Sequence, residues 1–306
     1  MPDSLNLWQS WNKDLNFLKK ISDEELRMHV GFLYLLGSPI ESDYWLARNF
    51  STGKTDSSSI MFQEFEEVTR GVPHEFWTSE PDPNFKRFSI PYYLSHDNNQ
   101  QFNLNRDVLR TQCDVSNIFK FGIMGKITRI TEVGGGYGQL AAAFTRILPG
   151  VKYTIVDLPP QLEIQKRWLS HIGLNVGEHG DSQINLVSSL DYKLLQQDVD
   201  LLINVNSFCE MGEVEIRSYI DRTNIDYKWL YSNNREVQFM NKALTKPLSE
   251  IFQDYFETSP SLSSYLTSNQ DYTKYVFLGG QIHQATDLPP SEIVGVRKWH
   301  NPLEVN

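Results

Sequence analysis

From residue 127 onward, short β-branched runs alternate with stretches whose apolar residues recur every three or four positions. ITRITEV (127–133), VKYTIVD (151–157), INLV (184–187), DLLINV (200–205) and KWLYS (228–232) predict five strands. QLAAAFTRIL (139–148), QLEIQKRWLSHIG (161–173) and EVEIRSYIDR (213–222) predict helices among them, and Pro149-Gly150 closes the first. Strands separated by helices of this length form βαβ units. Their right-handed crossovers give an α/β, doubly wound, mostly parallel sheet. YVFLGG (275–280) and EIVGVRKW (292–299), with no clear helix between them, predict a terminal antiparallel hairpin.

Residues 1–121 have another texture. They hold four of the seven tryptophans and little strand-like alternation. SDEEL (22–26) predicts a helix start, with Ser22 at the N-cap and Glu25 at the capping-box position. In MFQEFEEVTRG (61–71), Met61, Phe62, Phe65 and Val68 fall at helical spacing, and Gly71 and Pro73 end the run. The segment with prolines at 81, 83 and 91 reads as loop, and RDVLRTQCDVSNIFKF (106–121) returns to a helical pattern. The expected division is a helical, aromatic-rich N-terminal layer over 1–121 and a ligand-binding α/β domain over 122–306.

Composition narrows the function. The 306 residues carry 28 basic and 38 acidic side chains, a net charge of −10, which excludes a globally basic nucleic-acid binder. The best apolar run, VGFLYLLG (30–37), is eight residues, where a membrane span needs about 20. The first fifteen residues have neither the basic nor the apolar region of a signal peptide. Two cysteines, Cys113 and Cys209, make no disulfide framework or zinc site and fit a reducing compartment. A cytoplasmic protein that engages neither nucleic acid nor membrane is expected.

The strongest chemical signal is TEVGGGYG (131–138), at a strand-to-helix junction, where open α/β sheets bind ligands. Gly134, Gly136 and Gly138 let a ligand lie against bare backbone. The next strand ends in Asp157, whose carboxylate can accept hydrogen bonds from a ribose diol. The spacing is G-x-G-x-G. The dinucleotide fingerprint G-x-G-x-x-G would need glycine at 139, which is Gln139. Glu132 beside the turn suits a cationic sulfonium and amino group better than a pyrophosphate. A tight turn without a ligand is the plainer alternative.

EVGGGYGQLAAAF, YTIVDLPPQLEIQKRWLS and DLLINVNSFCEMGEVEIRSYID together resemble the sugar O-methyltransferase family, within the class I S-adenosylmethionine-dependent methyltransferases. The resemblance is closest over residues 105 to 235. It implies a Rossmann-like, seven-stranded sheet with a reversed final strand, and a methyltransferase domain over 122–306. It implies that Glu132, Gly134, Gly136 and Gly138 line the methionine part of S-adenosyl-L-methionine, that Asp157 holds the ribose, and that Leu158 flanks the adenine. Asp191, just after Ser188 and Ser189, stands where an acid would meet the adenine amine. Arg110 is either a partner of the cofactor carboxylate or an exposed helix arginine.

Substrate should approach the carboxyl ends of the fourth and fifth predicted strands. There NVNSFCEM (204–211) offers Asn204, Asn206 and Glu210, and YSNNR (231–235) offers Asn233 and Asn234. Asn206 is taken for the cofactor edge, and Asn233 and Asn234 for sugar hydroxyls. His283 and then Glu210 are the candidate general bases, with His96 behind them. Plainer readings make His283 a hydrogen-bonded residue between the last strands and Glu210 a helix-start charge. No dense acidic cluster calls for a metal, and none is expected. The expected reaction is in-line methyl transfer to a hydroxyl of a sugar or glycosylated small molecule. N- or C-methylation of another small molecule, or a non-catalytic cofactor-binding scaffold, are the alternatives. The N-terminal layer is read equally as a lid and substrate wall or as a packing layer or homodimer surface.

Overall fold

The computed structural model describes residues 18–29, 57–85, 89–94, 101–178, 182–192, 198–221, 227–235, 244, 246–260, 275–278, 281–284 and 290–297. The first helices are α1 (Asp23–His29) and α2 (Ser57–Thr69). Ser22 and Glu25 cap α1 reciprocally: Glu25 N donates to Ser22 Oγ at 3.3 Å, and Ser22 N donates to Glu25 Oε2 at 3.1 Å. Strands β1 (Ile90–Tyr93) and β2 (Gln101–Leu104) follow, then α3 (Arg106–Lys120). The Asn105 side chain caps α3 by accepting from Val108 N at 3.0 Å.

The α/β region then runs β3 (Arg129–Val133), α4 (Gln139–Ile147), β4 (Lys152–Asp157), α5 (Pro159–His171), β5 (Val176–Gly177), β6 (Ile184–Ser188), β7 (Val199–Val205), α6 (Glu213–Ile220) and β8 (Tyr227–Arg235). It continues with α7 (Leu248–Gln253), β9 (Phe256–Pro260), β10 (Tyr275–Leu278), β11 (Gln281–Gln284) and β12 (Pro290–Arg297). One sheet has the order β5-β6-β4-β3-β7-β8-β12-β9. Its first six strands are parallel, and β12 lies antiparallel to both β8 and β9. Strand order reverses between β3 and β7, so their carboxyl ends open a crevice there.

Helices cover both faces. On one, Val115 and Ile118 of α3, Phe144 of α4 and Trp168 of α5 share a core with Ile130, Ile155, Leu201 and Tyr231. Leu18 and Leu26 join the same core. On the other, Ile216 of α6 and Phe252 of α7 pack with Val133, Val156, Leu202 and Leu230. Each such side chain contributes about 1.5–3 kcal/mol by leaving water. A third cluster holds Phe65, Val68, Phe102, Leu104, Val108 and Leu109, tying α2 and β2 to the start of α3.

The strand pattern departs from expectation in three places. Among the described residues the sheet has eight strands, against the seven expected. β5 is only two residues long, and β9, FETSP, is too polar to show a strand pattern. The expected terminal hairpin is re-paired: β10 pairs with β11 in a separate two-stranded sheet, while β12 inserts between β8 and β9. Lastly, the proline-rich N-terminal stretch contains a strand. Pro91 sits in β1 opposite Asn103 of β2, in a two-stranded sheet whose open edge tolerates a residue without an N–H. No helix among the described residues is long and apolar enough to cross a membrane.

Candidate active site

The turn after β3 is shaped by steric limits that differ from glycine to glycine. Gly134, at φ +76°, donates its N–H to Val156 O at 2.9 Å, and a Cβ there would stand 2.2 Å from Ser207 Oγ. Its hydrogen serves the internal packing of β3 against the loop after β7. Gly136, at φ +58°, differs: a Cβ there would meet nothing within 4 Å. Its bare backbone faces open space, the condition for a ligand to lie against it. Gly138 starts α4 against the side chain of Leu169.

Two buried carboxylates flank this turn. Glu132 is 3% exposed and accepts from the Tyr153 hydroxyl at 2.9 Å. Burial pushes it up to about 8; the Tyr153 bond opposes that, and the charges of Asp157 and Asp114 add to it. Asp157, at the tip of β4, accepts from Leu158 N through Oδ1 and from Gln165 Nε2 through Oδ2, each at 2.8 Å. Burial pushes it up to about 7, against the hydrogen bonds from Leu158, Gln165 and Gly135. Three donors on about four lone-pair positions leave the carboxylate a place for an incoming hydroxyl. Leu158 is half-buried at the N-cap of α5, directly beyond Asp157.

The ends of β7 and β8 are laced by asparagines. Asn204 donates to Val133 O at 2.6 Å and accepts from Phe208 N at 2.8 Å. Asn234 donates to Asn204 O at 3.1 Å and accepts from Cys209 N at 3.3 Å. Asn233 donates to Asp114 Oδ1 at 2.9 Å, and Tyr231 donates to the same oxygen at 2.7 Å. Asn234 is thus buried with both ends of its amide held by the protein, and Asn233 is buried with its NH₂ held by Asp114, which corrects the expectation of a loop pair displayed to sugar hydroxyls. Asn206 is half-buried with φ +53°, a left-handed conformation that asparagine tolerates, and its N–H donates to Asn233 O at 2.8 Å.

Glu210 closes the 3-10 turn Phe208–Glu210 just beyond β7 and is half-buried. His283 lies in β11 opposite Val276, in the hairpin outside the main sheet, and its side chain is outside the described structure. His96 also lies outside the described residues. The structure therefore groups Glu132, Gly134, Gly136, Gly138, Asp157 and Leu158 at one end of the sheet, with Asn206 and Glu210 on the neighbouring strand's loop. Asp191 is exposed, in the turn after β6. Among the described residues, no group of three or more histidine, cysteine, aspartate or glutamate side chains is placed to hold a metal ion.

Sequence reasoning missed Tyr153, Asp114 and Gln165. Each reaches the turn region from a separate element, and nothing local to it announces the contact. Gln165 donates to the Gly136 carbonyl as well as to Asp157, both at 2.8 Å. Its helical spacing shows only that it shares a face with Gln161.

The fold and this site define an α/β protein whose glycine turn lies at the strand-order reversal. The sequence profile of the O-methyltransferase domain matches residues 84–181, which include the turn, Asp157 and α5. The chain is accordingly an enzyme, a methyltransferase. No curated protein matches it. Similar solved structures include mitomycin 7-O-methyltransferase MmcR, at 13% identity over 93% of this chain and 75% of that one, with TM-score 0.39. The N-terminal domain of EvdMO1, determined with SAH and D-fucose, is 11% identical over 81% of this chain and 100% of that one, with TM-score 0.41. Thermoplasma acidophilum protein 1320 is 18% identical over 63% of this chain and 91% of that one, with TM-score 0.38.

Proposed function

We propose that this chain transfers the methyl group of S-adenosyl-L-methionine to a hydroxyl of a sugar or glycosylated small molecule. The observation that carries the reading is the pairing of the open backbone at Gly136 with the Asp157 carboxylate at the next strand tip. The residues present fit that cofactor. Gly136 leaves room for it, the buried acid Glu132 beside the turn favours a cation over a pyrophosphate, and Asp157 suits a ribose diol. When bound, S-adenosylmethionine supplies an electrophilic methyl on positively charged sulfur.

The chain's own residues do the rest. Asp157 accepts from the ribose hydroxyls and Leu158 borders the adenine. Glu132, Gly134, Gly136, Gly138 and Asn206 surround the amino-acid end. Alignment of the acceptor hydroxyl with the methyl is worth up to roughly 7–11 kcal/mol. Glu210 and His283 are the candidate proton acceptors, a role worth about 10²–10⁴-fold in rate. The layer over 1–121 walls the substrate or mediates a homodimer, and 122–306 form the cofactor domain. The sugar preference follows from the family resemblance.

Calorimetry with S-adenosylhomocysteine and with NADH tests the cofactor. Binding of the former and not the latter is expected, and tighter binding of NADH would overturn the reading. A product-mass screen over nucleotide-sugars and amines then tests the acceptor: a one-methyl gain on a sugar is expected, and gain on amines alone would refute the hydroxyl assignment.

A further inference from the structure

We propose that Asp114 and Asn233 together receive the α-ammonium group of the cofactor's methionine moiety, an assignment that rests on the S-adenosylmethionine reading above. Asn233 stands at the carboxyl end of β8, opposite Val205 of β7, and is 7% exposed. Its amide orientation is set by its neighbour. The Asp114 carboxylate, carried by α3, only accepts hydrogen bonds when ionised, so the Asn233 NH₂ must face it. That leaves Asn233 Oδ1 as a buried acceptor with no donor among the described residues. Buried acceptors are almost always paired, so a donor supplied by a ligand is the natural partner.

The charge around it has the same sense. Asp114 is buried, and the two bonds it accepts, from Tyr231 and Asn233, come from neutral groups. Its charge reaches Glu132, as does that of Asp157, so three carboxylates share this end of the sheet. Buried carboxylates call for a cation. An ammonium brings one positive charge and three N–H donors, which suits an amide oxygen beside a carboxylate. Arg110 lies one helical turn before Asp114 on α3, near enough for its charge to act on that carboxylate.

The test is calorimetry with S-adenosylhomocysteine and with its deaminated analogue, which keeps the carboxylate and lacks the ammonium. Wild type should bind the deaminated analogue about tenfold or more weakly, the size of one charge-assisted hydrogen bond. Asn233→Ala and Asp114→Asn should each weaken S-adenosylhomocysteine about tenfold while leaving the analogue within about twofold, so that the preference for the amine disappears. Retained analogue binding also shows that the fold survives. Equal weakening of both ligands marks a purely structural role and overturns the inference, as does unchanged affinity for both. A second replacement, Asn233→Ser, guards against misfolding of either variant and is read by the same ratio. Wild type that binds S-adenosylhomocysteine but does not distinguish it from the analogue sinks this inference alone. Wild type that binds neither sinks the cofactor reading with it.

Discussion

Gln165 Nε2 donates to Asp157 Oδ2 at 2.8 Å, and the same nitrogen donates to the Gly136 carbonyl at 2.8 Å. One fully buried amide from α5 therefore sets the spacing between the open turn and the acid at the neighbouring strand tip. Gln165→Leu should remove both bonds and lower S-adenosylhomocysteine affinity about tenfold. Loss of the paired amide should destabilise the fold by about 1–3 kcal/mol. Calorimetry and urea unfolding read the two effects separately; unchanged affinity would show that the turn and Asp157 hold their spacing without Gln165.

Substitutions of two glycines in one turn should fail for different reasons. In Gly134→Ala the new methyl meets Ser207, whose Oγ would be 2.2 Å away, so stability falls, and Ser207→Gly should restore part of it. Gly136→Ala meets no protein atom and bears only the left-handed backbone cost, about 1–2 kcal/mol. It should fold and lose cofactor binding. Thermal unfolding with and without S-adenosylhomocysteine distinguishes the two, and ligand stabilisation of Gly136→Ala equal to wild type would contradict the placement of the cofactor.

The ligand-free protein should lose stability as pH rises through the neutral range. Burial holds Glu132 at about 8 and Asp157 at about 7, above the ordinary carboxylate range near 4. Between those limits the folded state binds more protons than the unfolded state. The contribution of these groups is thus fully present below about pH 4 and is lost as pH climbs through 7 and 8, with a slope of at most about 1.4 kcal/mol per pH unit for each group. Glu132→Gln keeps an acceptor for Tyr153 and abolishes its own share. It should raise Tm relative to wild type at pH 8.5, and by less at pH 5. A variant less stable than wild type at pH 8.5 would show that the carboxylate is stabilised there by something else.

Arg27 couples the N-terminal segment to the turn. Its guanidinium is 2% exposed, pairs with Glu80 at 2.9 Å and Asp107 at 3.0 Å, and lies over the rings of Phe85 and Tyr137 at 4.1 and 4.9 Å. Tyr137 belongs to the glycine turn and donates to Gln139 at 2.8 Å. Arg27→Ala leaves two carboxylates without their cation and should cost about 3–5 kcal/mol. Arg27→Lys keeps the charge but loses the planar fork and should cost less. Chemical denaturation ranks the three proteins; a lysine variant as unstable as alanine would mean that fork geometry, rather than charge, is what matters.

Sequence alone was sufficient wherever the physics is local. Runs such as VKYTIVD and DLLINV are apolar over strand length because the parallel sheet buries both faces, and β4 and β7 fall where those runs lie. The α1 capping box is contained within Ser22 to Glu25. The glycine turn is also local, since positive φ at Gly134 and Gly136 selects the residue type directly. Tertiary structure decided the rest. Tyr275–Leu278 and Pro290–Arg297 each read as strands, but only sheet assembly determines that β12 takes the place beside β8 while β10 turns back on β11. Asp114 meets Asn233 across 119 residues of sequence, and Arg27 meets Glu80 across 53. Such contacts leave no local periodicity. They form only when strand order and helix docking bring separate elements together, and burial at the sheet end then raises the proton affinity of Glu132, Asp157 and Asp114.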